Sequence, residues 1–389
     1  MTISGIICEY NPFHNGHMYQ INQTRKAGAT HIVAVMSGNF VQRGDCAIMS
    51  KWQRAKSAID NGVDVVVELP CPYAISSAES FALGAVSILD SMGCIDMLSF
   101  GSESDDIDVL KEAASIADGI AHSSELISLM EDGLTYPNAM QKIMNGINPE
   151  YANVLSSPNN ILGIEYLRAL SAFNSAIRPF TIGRAGVEHD SMNISGQFAS
   201  ASMIRKMLRS GNDVSEFMPY PPNINDGFAT LENLENAILY KLRCMTADEI
   251  ANIPDVAHGL ENRIYNAARN ACSIDELFDL IKTKRYTAAR IRRIIICCLL
   301  NINKNDLKIL PPYVRIIGIS KLGSEVLRKA RQSCKLPISS SLARLVEHSE
   351  SARRFAEIEA FSADVFALAY NNYLPCGSDY THKMLKNFD

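Results

Sequence analysis

Apolar residues in the first hundred positions fall into short unbroken runs, separated by stretches with helical spacing. The runs cover residues 4–10 (SGIICEY), 31–37 (HIVAVMS), 63–69 (VDVVVEL) and 95–100. Runs of this length, rich in Ile and Val and bounded by Gly, Asn or Pro, predict strands. Between them, 16–26, 51–59 and 78–89 carry helix formers, and Gly28, Gly62 and Gly93 follow as stop signals. Strands apolar throughout, alternating with helices, predict a parallel sheet covered on both faces. Such sheets bind ligands beyond the carboxyl ends of their strands. The loops after Tyr10, Ser37, Leu69 and Phe100 are therefore the ones to watch.

The pattern then lengthens. Residues 107–144 and 161–173 (ILGIEYLRALSAF) read as helical, 177–182 as a further strand, and 200–208 (SASMIRKML) as a helix opened by Ser. Residues 211–226 hold three prolines and few apolar positions, a linker composition. Beyond them the chain reads as mostly helical to about residue 351, punctuated at Pro254, Pro311-Pro312 and Pro337. The expected fold class is α/β, with a parallel-sheet domain over 1–212 followed by a mostly α-helical domain over 225–389. No internal repeat or low-complexity segment interrupts it.

Composition narrows the class. The 389 residues are 47% hydrophobic and 20% charged, as in an ordinary globular chain. The longest apolar run, 294–300, is seven residues, against roughly 20 for a bilayer span. No basic region precedes the first apolar stretch, so an export signal is not expected. The ten cysteines are scattered and form no C-x-x-C, which predicts neither a zinc ribbon nor a disulfide framework. Reduced thiols in the cytoplasm are expected. Net charge is −5, but it is divided: residues 1–200 hold 11 Lys+Arg and 21 Asp+Glu, a net of −10, which leaves +5 for 201–389. An acidic front and a basic back predict different partners.

Chemistry concentrates at the first strand–turn–helix, GIICEYNPFHNGH (5–17). His14 and His17 flank Asn15-Gly16 where a helix begins. A helix start offers free N–H groups and the positive dipole end, a seat for phosphate. Two imidazoles there can donate to phosphate oxygens and stabilise charge as an α-phosphate is attacked. They can equally be capping or core histidines. Zinc would need a third ligand beyond Glu9, and no metal site is assigned. A second element, 200–205 (SASMIR), places Arg205 one turn into a Ser-led helix, where its guanidinium can hold outer phosphates. Gln42, Arg43, Lys51 and Arg54 follow the second strand, as phosphate or RNA contacts or as plain surface charge. Asp105, Asp106 and Asp108 fit helix-start acids better than a metal cluster. No G-x-x-x-x-G-K-[ST] or G-x-G-x-x-G occurs.

Taken together, HxGH after the first strand and a Ser-x-x-Arg helix downstream (Ser202 to Arg205) resemble the HIGH-type nucleotidyltransferase superfamily. EYNPFHNGH (9–17), VMSGNFVQRGD (35–45), KWQRA (51–55), DVVVELP (64–70), FGSE (100–103), NNILGIEYLRAL (159–170), IGRAG (182–186) and SASMIR (200–205) run in order. This series resembles the tRNA(Met) cytidine acetate ligase family, densely over about residues 4–210. The resemblance implies a Rossmann-like nucleotidyltransferase domain. It implies an ATP-dependent ligase that makes acetyl-adenylate from acetate, releases pyrophosphate, and acetylates N4 of the wobble cytidine of elongator tRNA(Met). It implies an ATP site formed by Ile7, Cys8, Glu9, Tyr10, Asn11, Pro12, Phe13, His14, Asn15, Gly16, His17, Met18, Tyr19 and Gln20, with Gly101, Asn160 (Asn159 is adjacent) and Arg184. His14, His17 and Arg205 are the catalytic candidates. The stretch Val187-Glu188-His189-Asp190 departs from the family pattern, which has an aromatic before the histidine. Mg²⁺ bridging the phosphates is expected from the chemistry.

The basic back half carries Lys282, Lys284, Arg285, Arg290, Arg292 and Arg293, six cations in twelve residues around Tyr286. Cations interleaved with an aromatic suit RNA, and a solvated helix face is the alternative. Arg328, Lys329 and Arg331 form a second candidate patch. Two other readings stay open: a cofactor nucleotidyltransferase acting on a small phosphate ester, and a nucleotide-sensing RNA-binding protein without turnover.

Overall fold

The computed structural model describes all residues except 122, 184–196, 221–226, 258, 284 and 389. The strands, in chain order, are β1 (Ile3–Cys8), β2 (His31–Ser37), β3 (Phe40–Val41), β4 (Asp45–Cys46), β5 (Val65–Leu69), β6 (Met97–Ser102), β7 (Arg178–Gly183), β8 (Val314–Ser320), β9 (Ile338–Ser339) and β10 (Leu385–Asn387). One sheet runs β10-β8-β5-β2-β1-β6-β7, with β9 on β8. Pairing is parallel except between β5 and β8. β3 and β4 form a separate hairpin.

The Ile/Val runs make these strands because their side chains alternate between two covered faces. Val33 and Val35 enter a core with Val65, Val67 and the helices Ala78–Ser91 and Pro158–Ala172. Ile32, Ala34 and Met36 enter the opposite core, against α1 (Asn15–Lys26) and α2 (Lys51–Asp60). A third core gathers the helices between Glu235 and Leu299 and reaches Phe40, Cys46 and Phe366. No disulfide joins the ten cysteines. Among the described residues, no helix is long and apolar enough to cross a membrane.

The expected helical run to residue 351 is corrected. After Pro311-Pro312 the chain returns to the sheet as β8, antiparallel to β5, with Val65 opposite Ile319. The run VRIIGIS has the β-branched composition of a buried strand, and all but Ser320 are buried. The residues beyond 225 thus supply sheet edges as well as helices.

A buried charge network holds this return. Lys51 of α2 pairs with Glu68 of β5 and, at 2.7 Å, with Asp379. Arg315 of β8 pairs with Glu68 at 2.7 Å and Asp379 at 2.9 Å. All four side chains are at most 1% exposed. Glu359 lies beside them and accepts the backbone N–H of Cys71. Burial, reinforced by the Glu68 charge, pushes its carboxyl well above the usual range. Burial thus favours the neutral form of Glu359, beside two cations that pair with two carboxylates.

Removing one partner strands a buried charge. Asp379→Ala is expected to cost about 3–5 kcal/mol in urea unfolding. Glu359 acts with the opposite pH sense. Its raised folded pKa contributes stability that is complete below about pH 4.5, the usual value. That contribution is lost as pH rises toward the folded pKa. Glu359→Gln keeps a neutral group, so its stability should decline less than the native chain's as pH rises above about 4.5.

Candidate active site

The loop between β1 and α1 is built around two imidazoles. Tyr10, just past β1, sits at φ +49° and turns the chain. His14 is the N-cap of α1, and its Nδ1 accepts the Gly16 N–H at 3.0 Å. The His14 N–H in turn donates to Nδ1 of His17 at 3.2 Å. This is a reciprocal capping box made with histidines instead of Ser and Glu. The rings stack with centroids 3.9 Å apart. A neutral imidazole that accepts at Nδ1 carries its proton on Nε2. The cap thus sets both rings as Nε2–H donors. Gly16 is required here, because a Cβ would lie 2.8 Å from Cε1 of His14.

Both rings border a cleft of about 240 Å³ at the carboxyl ends of β1, β6 and β7. Phe81, Phe100, Leu162, Tyr166 and Ile182 give it apolar walls. Glu9, Gln42, Arg43, Ser202 and Arg205 give it charge and hydrogen-bonding groups. Arg205 is anchored by donation to the Asn11 carbonyl at 2.8 Å. Asn11 accepts the Ile48 N–H at 2.8 Å, and Glu9 accepts the Gln42 N–H at 2.9 Å. Arg54, fully buried, donates to the carbonyls of Glu9, Ser37, Gly38 and Met49. Burial lowers its pKa to about 10. One guanidinium therefore ties together the loops that follow β1 and β2.

Of the residues expected at an ATP site, Ile7, Cys8, Glu9, Tyr10, Asn11, His14, Gly16, His17, Tyr19, Gln20 and Gly101 line the cleft. Pro12, Phe13, Asn15 and Met18 do not. Phe13 backs the rings of Tyr10 and His17 at 4.9 and 5.6 Å. Asn15 donates to the carbonyls of Gln197 and Glu216, and Met18 packs into the core under α1. Asn160 is buried, and its Oδ1 accepts the N–H groups of Glu103 and Ser104, bracing the turn after β6. Its neighbour Asn159 is the one on the cleft wall. Arg184 and His189 lie outside the described residues. Cys8 has a thiol pushed far up in pKa by burial, which rules against a thiolate nucleophile.

Gln42 and Arg43 reach the cleft, whereas Lys51 and Arg54 are buried braces and not surface charge. Asp106 caps the helix Ile107–Ile120. The aromatic walls escaped the motif reading. Their signal was the 159, 162, 166 spacing, which places Asn159, Leu162 and Tyr166 on one helix face.

The basic segment is partly used internally. Arg285 donates to the carbonyls of Met130 and Glu131, and Arg290 to that of Asp255. Arg293 pairs with the Asp255 carboxylate at 3.2 Å and donates to the Gln42 carbonyl. Lys282 and Arg292 are exposed, and Lys284 lies outside the described residues.

A cleft at the carboxyl ends of parallel strands, with two imidazoles from a helix start on its wall, suits a nucleotide's phosphates. The class this defines is the nucleotidyl transferases, and a family model described as HIGH Nucleotidyl Transferase matches residues 1–379. A protein named tRNA(Met) cytidine acetate ligase from Thermoanaerobacter sp. (strain X514) is 40% identical over 405 residues, covering 99% of this chain and 100% of the relative. The protein of that name from Caldanaerobacter subterraneus subsp. tengcongensis is 39% identical, with coverage of 99% and 100%. The crystal structure of apo Thermotoga maritima TmcAL matches with a TM-score of 0.93 at 31% identity, over 100% of both chains. The same protein bound with alpha-thio ATP matches at 0.91 and 30%, again over 100% of both. The chain belongs to the tRNA(Met) cytidine acetate ligase family of HIGH nucleotidyl transferases.

His17→Ala removes one Nε2–H donor and one acceptor of the cap. Pyrophosphate release is expected to fall about 10²- to 10³-fold in kcat, as for loss of one oxyanion donor. KM for ATP should change far less, and steady-state kinetics separates the two.

Proposed function

We propose that this chain is an ATP-dependent ligase that acetylates N4 of the wobble cytidine of elongator tRNA(Met), giving N4-acetylcytidine. Its first step joins a carboxylate oxygen of acetate to the α-phosphorus of ATP. The bond to the β-phosphate oxygen breaks, and pyrophosphate leaves. In the second step N4 attacks the acetyl carbon of the adenylate. AMP leaves, and N4 loses a proton.

The observation that carries this reading is the pair of stacked histidines held as Nε2–H donors at the start of α1. Acetate is already a nucleophile, so the first step needs placement and charge stabilisation and no general base. Donors His14 and His17 serve the α-phosphate, and Arg205 and Arg43 face the departing pyrophosphate. The apolar walls and Asn159 fit the nucleoside. The relatives' name supplies tRNA(Met), cytidine and acetate.

Magnesium fits the donor set. Glu9 is the carboxylate on the cleft wall, and Mg²⁺ takes one or two carboxylates with phosphate oxygens and water. It would neutralise charge on the phosphates. Ten free cysteines suit a reducing cytoplasm.

Incubation with labelled acetate, ATP and bulk tRNA should place label in cytidine and release pyrophosphate only when acetate is present. Pyrophosphate release that ignores acetate, with unlabelled RNA, would point instead to a cofactor nucleotidyltransferase. ATP and tRNA binding without pyrophosphate release would point to a non-catalytic sensor.

A further inference from the structure

The helix Ala201–Arg209 runs from the cleft outward. Its residues Ala201, Ser202 and Arg205 line the cleft, while Ile204 and Leu208 are buried on the opposite side. Lys206 and Arg209 lie one turn beyond the cleft residues on the open face, both exposed. Burial lowers the pKa of Arg205 against the opposing charge of Glu9, and the nearby Arg43 and Arg209 add to the lowering. The β3–β4 turn closes the other side of the mouth. Its Gln42 and Arg43 line the cleft, and its Gly44, at φ +74°, sits flush on the helix Ala288–Leu299. A Cβ on Gly44 would lie 2.5 Å from Cβ of Arg292. Arg292 is exposed beside that contact.

Cations therefore continue from the cleft along two elements, Arg205 to Lys206 and Arg209, and Arg43 to Arg292. Among the described residues, the half-buried Asp45 is the acid that interacts with Arg209, and Glu232 lies near Asp45. Tyr19, on the cleft wall, meets Phe198 edge-on with centroids 6.1 Å apart and adds half-exposed aromatic surface. By contrast Arg285, Arg290 and Arg293 hold carbonyls or a carboxylate of their own chain.

We propose that the rim formed by Lys206, Arg209 and Arg292 around Arg43 is where single-stranded RNA flanking the target base is held. The inference rests on the ligase reading, because it is that reaction which brings a base into the cleft. Geometry favours RNA over an acidic protein. The target base must meet the adenylate at the mouth of the cleft, and the cations lie on both sides of that mouth, where the flanking phosphates must run. Single-stranded RNA is gripped by such cations combined with aromatic surface.

The second basic patch lies elsewhere. Its helix, Gly323–Ser333, begins against the Asp64 carbonyl at the start of β5. It ends beside Ser91 and Met92, just after the helix Ala78–Ser91. Arg328, Lys329 and Arg331 thus sit at the amino ends of the strands, away from the cleft.

The test measures affinity of the full chain for tRNA(Met) across a salt titration. The Lys206→Gln/Arg209→Gln/Arg292→Gln variant should lose at least about tenfold in affinity. Its log–log salt slope should fall by about two to three, as three phosphate contacts vanish. The charge-keeping Lys206→Arg/Arg209→Lys/Arg292→Lys variant should retain most of the affinity and the slope. Arg328→Gln/Lys329→Gln/Arg331→Gln should bind as the native chain does. Melting temperatures check that the first variant is folded. Native affinity and slope in the rim variant would overturn the proposal. Loss of binding confined to the Arg328 patch would overturn it as well. Rim-dependent tRNA binding by a native chain that never labels cytidine would sink the ligase reading and leave the surface standing.

Discussion

The buried pairing of Lys51 and Arg315 with Glu68 and Asp379 joins parts of the chain that local sequence keeps far apart. Helix α2, strand β5, strand β8 and the short helix Ser378–Thr381 each contribute one charge. Such a network is a weak source of net stability, since apolar residues of the same volume often do as well. Its effect is selective. A different register of β8 on β5 would leave an ion unpaired in the core, so one arrangement of the C-terminal half is favoured over the rest. Glu68 and Glu359 also lie 3.2 and 3.7 Å from where a Gly38 Cβ would be, directly after β2.

Helix α2 carries this constraint into the cleft. Ser50 and Gln53 form its capping box, which sets where the helix starts. Lys51 then enters the charge network, and Arg54, three residues on, gathers the carbonyls of Glu9, Ser37, Gly38 and Met49. The first cation anchors the C-terminal return, and the second shapes the loops that carry Glu9, Gln42 and Arg43. Folding of the back half and geometry of the nucleotide cleft are linked through one turn of one helix.

The strands of the front half are legible because each is a continuous Ile/Val run, and burial on both faces demands that composition. The histidine pair is legible because the strand, turn and helix that position it are contiguous. Strand β8 has a readable composition, but its partner β5 lies some 250 residues away, and nothing local announces that pairing. Lys51 and Arg54 read as phosphate or RNA contacts or as surface charge for the same reason, since their partners are remote side chains or carbonyls. Arg285, Arg290 and Arg293 show the converse. Three guanidiniums of that cluster hold a carbonyl or carboxylate of their own chain, while Lys282 and Arg292 beside them stay exposed.

On the proposed reading, the two histidines combine stability and chemistry in the same rings. Capping consumes their Nδ1 atoms, and this assigns the Nε2 proton to each. An imidazole that is free to choose its tautomer would present a donor only part of the time. Here the helix start makes that choice before any phosphate arrives, so no reorganisation is needed as charge develops. Stacking at 3.9 Å disfavours two imidazolium rings, because like charges so close repel. The pair is therefore suited to donate hydrogen bonds rather than to transfer protons. That fits a first step whose nucleophile is already an anion and whose leaving group departs as one. A general base would be needed only for the later attack by the cytidine amine. Its proton becomes acidic only once the acyl bond forms, when the departing AMP can accept it.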